Sequence, residues 1–324
     1  MIGRPPAATS PDLPRLWVSY LASDDMQGRA NGSDQMKEAA SWIASQFRRF
    51  GLRPVPSPAD HFQKYDFTDR DGRTISERNV IGYMEGRDPE RKDEYILVSA
   101  HFDHVGVRKP IEGDAIYNGA DDDASGVAAM IGIARNLHEM QAAPSRSILF
   151  IAFSAEELGH KGSRHYRDHP LLPLDRMYVN INFEMVGQCS KLGNRTYYIT
   201  GPSRSNLDEY LVQYNTSKPW RLDASAQYAE NLFLRADNAS FAVMTKQDGI
   251  TYGVPAHTFS FYDGEKHLHR PHDEPAILDY DNLASFIDYM TGLVLHLADL
   301  EDDIVWTDEN YRHITQRPAE FTAP

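Results

Sequence analysis

The chain has 324 residues, 41% of them hydrophobic, 25% charged and 11% aromatic, which allows a sizeable core and excludes a disordered or fibrous protein. With 47 acidic against 33 basic side chains the formal charge is −14; no basic patch stands out, so nucleic acid is not an expected partner. No apolar run approaches the ~18 residues of a membrane-spanning helix, so no membrane insertion is expected. The single cysteine, Cys189, leaves any metal to His, Asp and Glu.

Along the chain, the first 16 residues, MIGRPPAATSPDLPRL, carry two basic side chains and no apolar h-region. The expectation is a secreted or periplasmic protein whose signal peptide is absent from this sequence, with a cytoplasmic protein as the alternative. No internal repeat or low-complexity segment interrupts the chain, and residues 1–324 read as one domain.

Residues 33–50 place Met36, Ala39, Ala40, Ile43, Phe47 and Phe50 at three- and four-residue steps before Gly51, predicting an amphipathic helix. YILVSA (95–100), SILFIAF (147–153) and YVNINF (178–183) are rich in β-branched and aromatic residues and suit strands covered by helices on both faces. Between the first two, residues 123–140 carry Val127, Met130, Ile131, Ala134 and Leu137 on one helical face, so strand, helix, strand forms a parallel crossover. A further strand is predicted at 255–261 and a closing helix at 282–300. Residues 203–247 have weak periodicity and read as surface helices and loops. The fold class is α/β, with a mixed, mainly parallel central sheet flanked by helices.

Ligands of such sheets collect at the C-terminal strand ends, and chemistry-bearing residues recur there. The first strand ends in His101-Phe102-Asp103, where alternation puts His101 and Asp103 on one face, a ligand and its supporting carboxylate. The next loop, Asn118-Gly119-Ala120-Asp121-Asp122-Asp123-Ala124-Ser125-Gly126, could simply cap a helix. Three adjacent carboxylates repel one another, however, and a divalent cation would offset that. Glu156 and Glu157 follow the second strand; the functional reading makes one a ligand and the other a general base. Glu184 follows the third strand, and HLHRPHDE (267–274) supplies three histidines. Carboxylates and histidines at three strand ends and one late loop are the distribution of a single assembled site.

The ordered motifs AHFDHVG, YNGADDDASGVAAM, FSAEELGHKGS, NINFEMVG, RADNASF and HLHRPHDE resemble the zinc-dependent aminopeptidase family that also contains bacterial leucyl aminopeptidases, glutamate carboxypeptidase II and the glutaminyl cyclases. The resemblance runs from LASDDMQGRANG to the helix after DYDNL, excepting residues 204–232. It implies two zinc ions bridged by Asp121, with His101 and Glu184 completing one site and Glu157 and His269 the other. Glu156 would be the general base, with Asp103 and Asp273 as supporting carboxylates. A non-proline cis peptide is implied after the bridging aspartate, at Asp121–Asp122. No inserted protease-associated domain is expected between RNVIGYMEG and EYILVSAHFDH. Two departures stand out: Glu184 where relatives carry aspartate, and Asn238 where many carry histidine, the latter expected near the site entrance.

The expected function is a di-zinc aminopeptidase that hydrolyses the N-terminal residue of peptides with a free N-terminus, using metal-activated water and a glutamate base. A glutaminyl cyclase-like relative, a carboxypeptidase-like relative drawing on Arg204, Arg221 or Arg235, and a non-catalytic binding ectodomain are the alternatives.

Overall fold

Two helices open the fold, α1 (Asp12–Leu21) and α2 (Asp34–Arg49). The second begins where Ser33 Oγ accepts a hydrogen bond from the Met36 N–H at 3.1 Å, an N-cap of the kind short hydroxyls favour. It buries Met36, Ala39, Ala40, Ile43 and Phe47, the stripe its sequence spacing predicts. The computed structural model describes residues 8–55, 60–189 and 191–318; the first seven residues of the N-terminal segment lie outside them.

A long hairpin follows, β1 (Phe62–Thr68) with β2 (Thr74–Met84), and residues 85–94 lead directly to β3 (Tyr95–His101). A small outlying hairpin, β4 (Gly106–Ile111) and β5 (Asp114–Tyr117), precedes α3 (Gly126–Glu139) and β6 (Ser147–Phe153). Next come α4 (Lys161–Asp168), β7 (Met177–Phe183), β8 (Thr196–Ile199), α5 (Leu207–Asn215), β9 (Arg221–Leu222) and α6 (Ala239–Ala242). The chain ends through β10 (Thr245–Gln247), β11 (Ile250–Gly253), β12 (Ala256–Ser260), α7 (Tyr280–Asp299) and β13 (Tyr311–His313).

The main sheet runs β1-β2-β6-β3-β7-β12-β8-β9. Its centre, β6, β3, β7 and β12, is parallel; β1, β2 and β8 are antiparallel to their inner neighbours. This is the mixed, mainly parallel α/β architecture expected. The central strands alternate between two cores: Ile96, Val98, Ile148 and Phe150 pack with α2, α3 and α7, while Leu97, Leu149, Ile151 and Phe153 pack with Tyr166 and Phe241 of α4 and α6. Burial on both faces explains why these strands read as continuous apolar runs.

The helix predicted from residue 123 starts instead at Gly126, because Ala120–Ser125 form an irregular turn, entered from Gly119 at φ 62° and non-helical at Asp122 and Asp123. The segment 203–247 is also more than a surface layer. Its helices are short, but Leu211, Trp220, Phe233 and Phe241 are buried; isolated aromatics in loops anchor it without helical periodicity.

Candidate metal centre

His101 closes β3, and its buried ring has Nε2 3.2 Å from Asp122 Oδ1. The other Asp122 oxygen, Oδ2, lies 3.2 Å from His269 Nε2, and that nitrogen is 2.9 Å from Glu157 Oε1. Asp122 therefore presents its two oxygens to two different histidines. Asp121, the residue expected between them, is turned away: its Oδ1 accepts from the Gly187 N–H at 2.8 Å, and its Oδ2 lies 3.0 Å from His267 Nε2. The turn at Ala120–Ser125 sets this selection, and the cis peptide lies correspondingly one residue later, at Asp122–Asp123. Asp123 faces inward, its Oδ1 accepting from the Gly126 and Met185 N–H groups at 3.0 and 3.1 Å.

The structure also brings in a residue that the sequence reading left unassigned. His104, buried, has Nδ1 3.1 Å from Glu157 Oε1 and 3.6 Å from Asp122 Oδ2. One donor atom each from His104, Asp122, Glu157 and His269 fall within 4.8 Å of one another, a group able to hold a metal ion. The signal was present in AHFDHVG, three residues after His101, but no periodicity relates a strand end to the loop beyond it.

Two buried carboxylates position these loops. Asp103 accepts from the Glu156 and Glu157 N–H groups at 3.0 and 3.2 Å and from Asn31 Nδ2 at 2.8 Å, and its Oδ1 is 3.6 Å from His101 Nδ1. Asp273 accepts from the Asp121 and Asp122 N–H groups at 2.7 and 3.0 Å. Burial, and then the neighbouring Asp121, push the Asp273 carboxyl up to about 8. Beneath both loops lies the guanidinium of Arg29, fully buried, which donates to the carbonyls of Leu21, Phe102, Asn118 and Gly119 at 2.6 to 2.8 Å. Four carbonyl acceptors from three segments explain how a buried cation is tolerated.

Asp122, Glu156, Glu157, Glu184 and His269 line a cavity of about 580 Å³, within the size range of small-molecule and peptide-end sites. Burial raises the proton affinity of Glu156, although His160 Nε2 lies 3.0 Å from its Oε1. Burial also raises Glu184 well above the carboxylate range, helped by the charge of Glu156, and Glu184 Oε2 has no hydrogen-bond partner. Glu157 is the reverse: burial works to raise it, but His104 and His269 hold it below its ordinary value. Adjacent glutamates thus occupy different electrostatic settings. Carboxylates crowded together with buried, unpartnered imidazole nitrogens on His101 and His104 fit a divalent cation, and the His, Asp and Glu donor set suits zinc.

Tyr198, Thr200 and Thr258, which are buried, and Tyr228, Leu234, Arg235 and Tyr262 also line the cavity. Asn238 is not at the site entrance as expected. It is buried, donating to the carbonyls of Phe233 and Ala256 and accepting from Thr258 Oγ1 at 2.9 Å, because the α6 turn faces it into the fold. Of the three arginines considered for a carboxylate pocket, Arg204 is paired with Glu230 and Asp308, and Arg221 reaches Thr196 on β8. Arg235 reaches the cavity rim.

The profile of peptidase family M28 matches residues 79–294. Aminopeptidase YwaD of Bacillus subtilis is 36% identical over 130 residues, which are 40% of this chain and 26% of that protein. A glutamate carboxypeptidase 2 homolog of Caenorhabditis elegans is 33% identical over 53% of this chain and 21% of its own length, so the chain spans about a quarter of these curated relatives. Leucine aminopeptidase 1 of Trichophyton equinum is 22% identical over 92% of this chain and 80% of that protein. Among solved structures, BSAP, a zinc aminopeptidase from Bacillus subtilis, superposes with a TM-score of 0.71 at 18% identity, covering 92% of this chain and 97% of that one. Porphyromonas gingivalis glutaminyl cyclase gives 0.65 at 19% identity over 88% and 97%. Since the profile match extends over more than half of the chain and includes both acidic loops, this protein belongs to peptidase family M28.

Proposed function

We propose that the chain is a zinc aminopeptidase acting as a single domain on peptides with a free N-terminus. The observation that carries this reading is the meeting of Asp122, Glu157 and His269 with two further carboxylates, Glu156 and Glu184, at one cavity, with His101 against Asp122. In this reading two zinc ions would be held, one by His101, Glu184 and Asp122, the other by Glu157, His269 and Asp122. Asp122, whose two oxygens face His101 and His269, would take the shared role first expected of Asp121. Bound zinc would polarise the scissile carbonyl and make water a stronger nucleophile. Glu156, with its proton affinity raised by burial, accepts the proton of the attacking water and returns it to the leaving amine. Asp103 acts through backbone N–H groups: by holding Glu156 and Glu157 at successive positions it keeps base and ligand aimed at different points. The surplus of carboxylate over two divalent cations attracts the substrate ammonium, a role for Glu184 with Glu156.

The test is an N-acetylated peptide against its free-amine parent. Loss of the ammonium contact lowers kcat/KM by about tenfold for every ~1.4 kcal/mol forfeited; equal rates would overturn the aminopeptidase reading. A glutaminyl cyclase-like reading draws on a separate observation. Asp237 is buried with neither carboxyl oxygen hydrogen-bonded, and burial and then the charge of Glu156 push it up to about 7. Release of ammonia from an N-terminal glutaminyl peptide, with no amino acid freed, would put this second reading first.

A further inference from the structure

His104 has no role in the two-zinc reading above, yet its surroundings are those of a ligand. Its ring is 1% exposed, and neither nitrogen has a hydrogen-bond partner. Nδ1 lies 3.1 Å from Glu157 Oε1 but outside hydrogen-bond geometry, so it does not serve that oxygen as an N–H donor. His101 Nε2 has the same signature: buried, 3.2 Å from a carboxylate oxygen, and not hydrogen-bonded to it.

The oxygens that His104 faces are also those His269 faces. His269 Nε2 is 2.9 Å from Glu157 Oε1 and 3.2 Å from Asp122 Oδ2; His104 Nδ1 is 3.1 and 3.6 Å from the same two atoms. Four donors each 2.0–2.1 Å from one zinc at tetrahedral angles would be separated by about 3.3 Å. The four histidine-to-carboxylate separations fall around that value, and all six separations of the set lie within 4.8 Å.

The backbone is shaped to bring the ring there. A Cβ on Gly119 would lie 2.5 Å from His104 Cγ, and Gly119 has φ +62°, so only glycine admits the ring at this position. Arg29 binds the Gly119 carbonyl, and the Arg29 carbonyl accepts from the His104 N–H at 3.2 Å.

We infer that His104 is a direct zinc ligand, completing a four-residue site with Asp122, Glu157 and His269 whose protein ligands leave no open coordination position. This rests on the zinc reading above and deepens it. The two metal positions become unequal: one is closed by the protein, as in structural zinc sites, and the other, on the His101 and Glu184 side, has the open position that substrate chemistry needs.

The experiment titrates zinc into metal-free full-length chain and into His104→Phe, which keeps the ring volume and removes both nitrogens. The ¹⁵N resonances of histidine are followed in the unsubstituted chain. The expected result is a zinc-dependent shift of His104 Nδ1 characteristic of coordination. One zinc affinity in H104F should also fall by more than the roughly 10–100-fold that loss of a supporting partner costs. Zinc uptake with His104 Nδ1 unshifted overturns the inference and leaves the zinc reading intact, whatever the variant does. No zinc uptake by the unsubstituted chain overturns both. Should H104F fail to fold, the nitrogen resonances of the unsubstituted chain decide alone.

Discussion

The floor of the cleft and its outer wall are held by different kinds of contact. At the floor, loops 101–104, 119–123 and 156–157 hang from buried polar groups: Arg29 binds four carbonyls, while Asp103 and Asp273 each accept two backbone N–H groups from a loop that carries carboxylates. The wall segment 228–236 adds aromatic packing to its polar ties, with Phe233 stacked under Arg204 and edge-on to Tyr311, while Leu234 and Arg235 extend to solvent. Directional bonds define where a carboxylate oxygen sits to within tenths of an ångström. Apolar contacts tolerate substitution as long as volume is kept. A family that varies its substrates on one chemistry would be expected to divide its cleft in this way.

The largest expected effect lies at the floor. Glu156→Gln keeps size and the hydrogen bond to His160 but cannot accept a proton, so kcat should fall on the order of 10² to 10⁴ while zinc content stays unchanged. Glu157→Gln should lower zinc content first. Metal analysis beside steady-state kinetics separates the two, and unchanged kcat in the Glu156 variant would remove the base from the proposed mechanism.

Next comes Arg29→Met, which preserves much of the stem and removes the guanidinium. Leu21, Phe102, Asn118 and Gly119 would lose a buried donor together, and the cost should be about 3–5 kcal/mol of unfolding free energy. Urea unfolding measures it. A loss below about 1 kcal/mol would mean that the floor is not suspended from this residue and would undo the contrast with the wall.

Much of this organisation was legible beforehand, and the exceptions have physical causes. Apolar runs at 95–100, 147–153 and 178–183 became β3, β6 and β7 because strands buried on both faces leave an unmistakable composition. Selection among Asp121, Asp122 and Asp123 was not legible: three identical side chains contain no spacing information, and the turn after Gly119 decides which one faces the cleft. His104 was hidden for a similar reason, lying in a loop where neither a two- nor a 3.6-residue period applies. The buried aromatics of 203–247 escaped because Trp220 and Phe233 are single anchors in irregular backbone. Arg29 stood in LASDDMQGRANG, where nothing marks an arginine as interior.

A smaller effect tests how far the polar floor extends. Glu77 on β2 is 3% exposed, and its Oε1 accepts from the Gly32 N–H at 2.6 Å, next to Asn31, which donates to Asp103. Burial is the main cause raising Glu77 to about 7. Between the unfolded value near 4.5 and about 7, the folded chain retains a proton that the unfolded chain has released. Stability attributable to this group therefore falls as pH rises through that window, by on the order of 1–3 kcal/mol. Glu77→Gln retains an acceptor for Gly32 and should flatten this part of the stability profile. An unchanged slope in urea midpoints across pH 4.5–7 would assign the dependence elsewhere.

The smallest expected effect is at the wall, and it completes the contrast. Leu234 is 51% exposed and lines the cavity beside Arg235, so it has little core contact to lose. Under the aminopeptidase reading it is placed to touch the side chain of the residue being removed. Leu234→Ala should lower kcat/KM for a large apolar N-terminal residue by a few-fold, the effect of up to about 1 kcal/mol of lost contact, while a small N-terminal residue is nearly unaffected. Zinc content and the urea midpoint should not move, because neither Arg29 nor the positioning carboxylates touch this side chain. A fall that was equal for all substrates would place Leu234 with the machinery of the floor, whereas a fall in stability would show that the wall bears on the fold. Either outcome breaks the division between a floor defined by directional bonds and a wall free to vary.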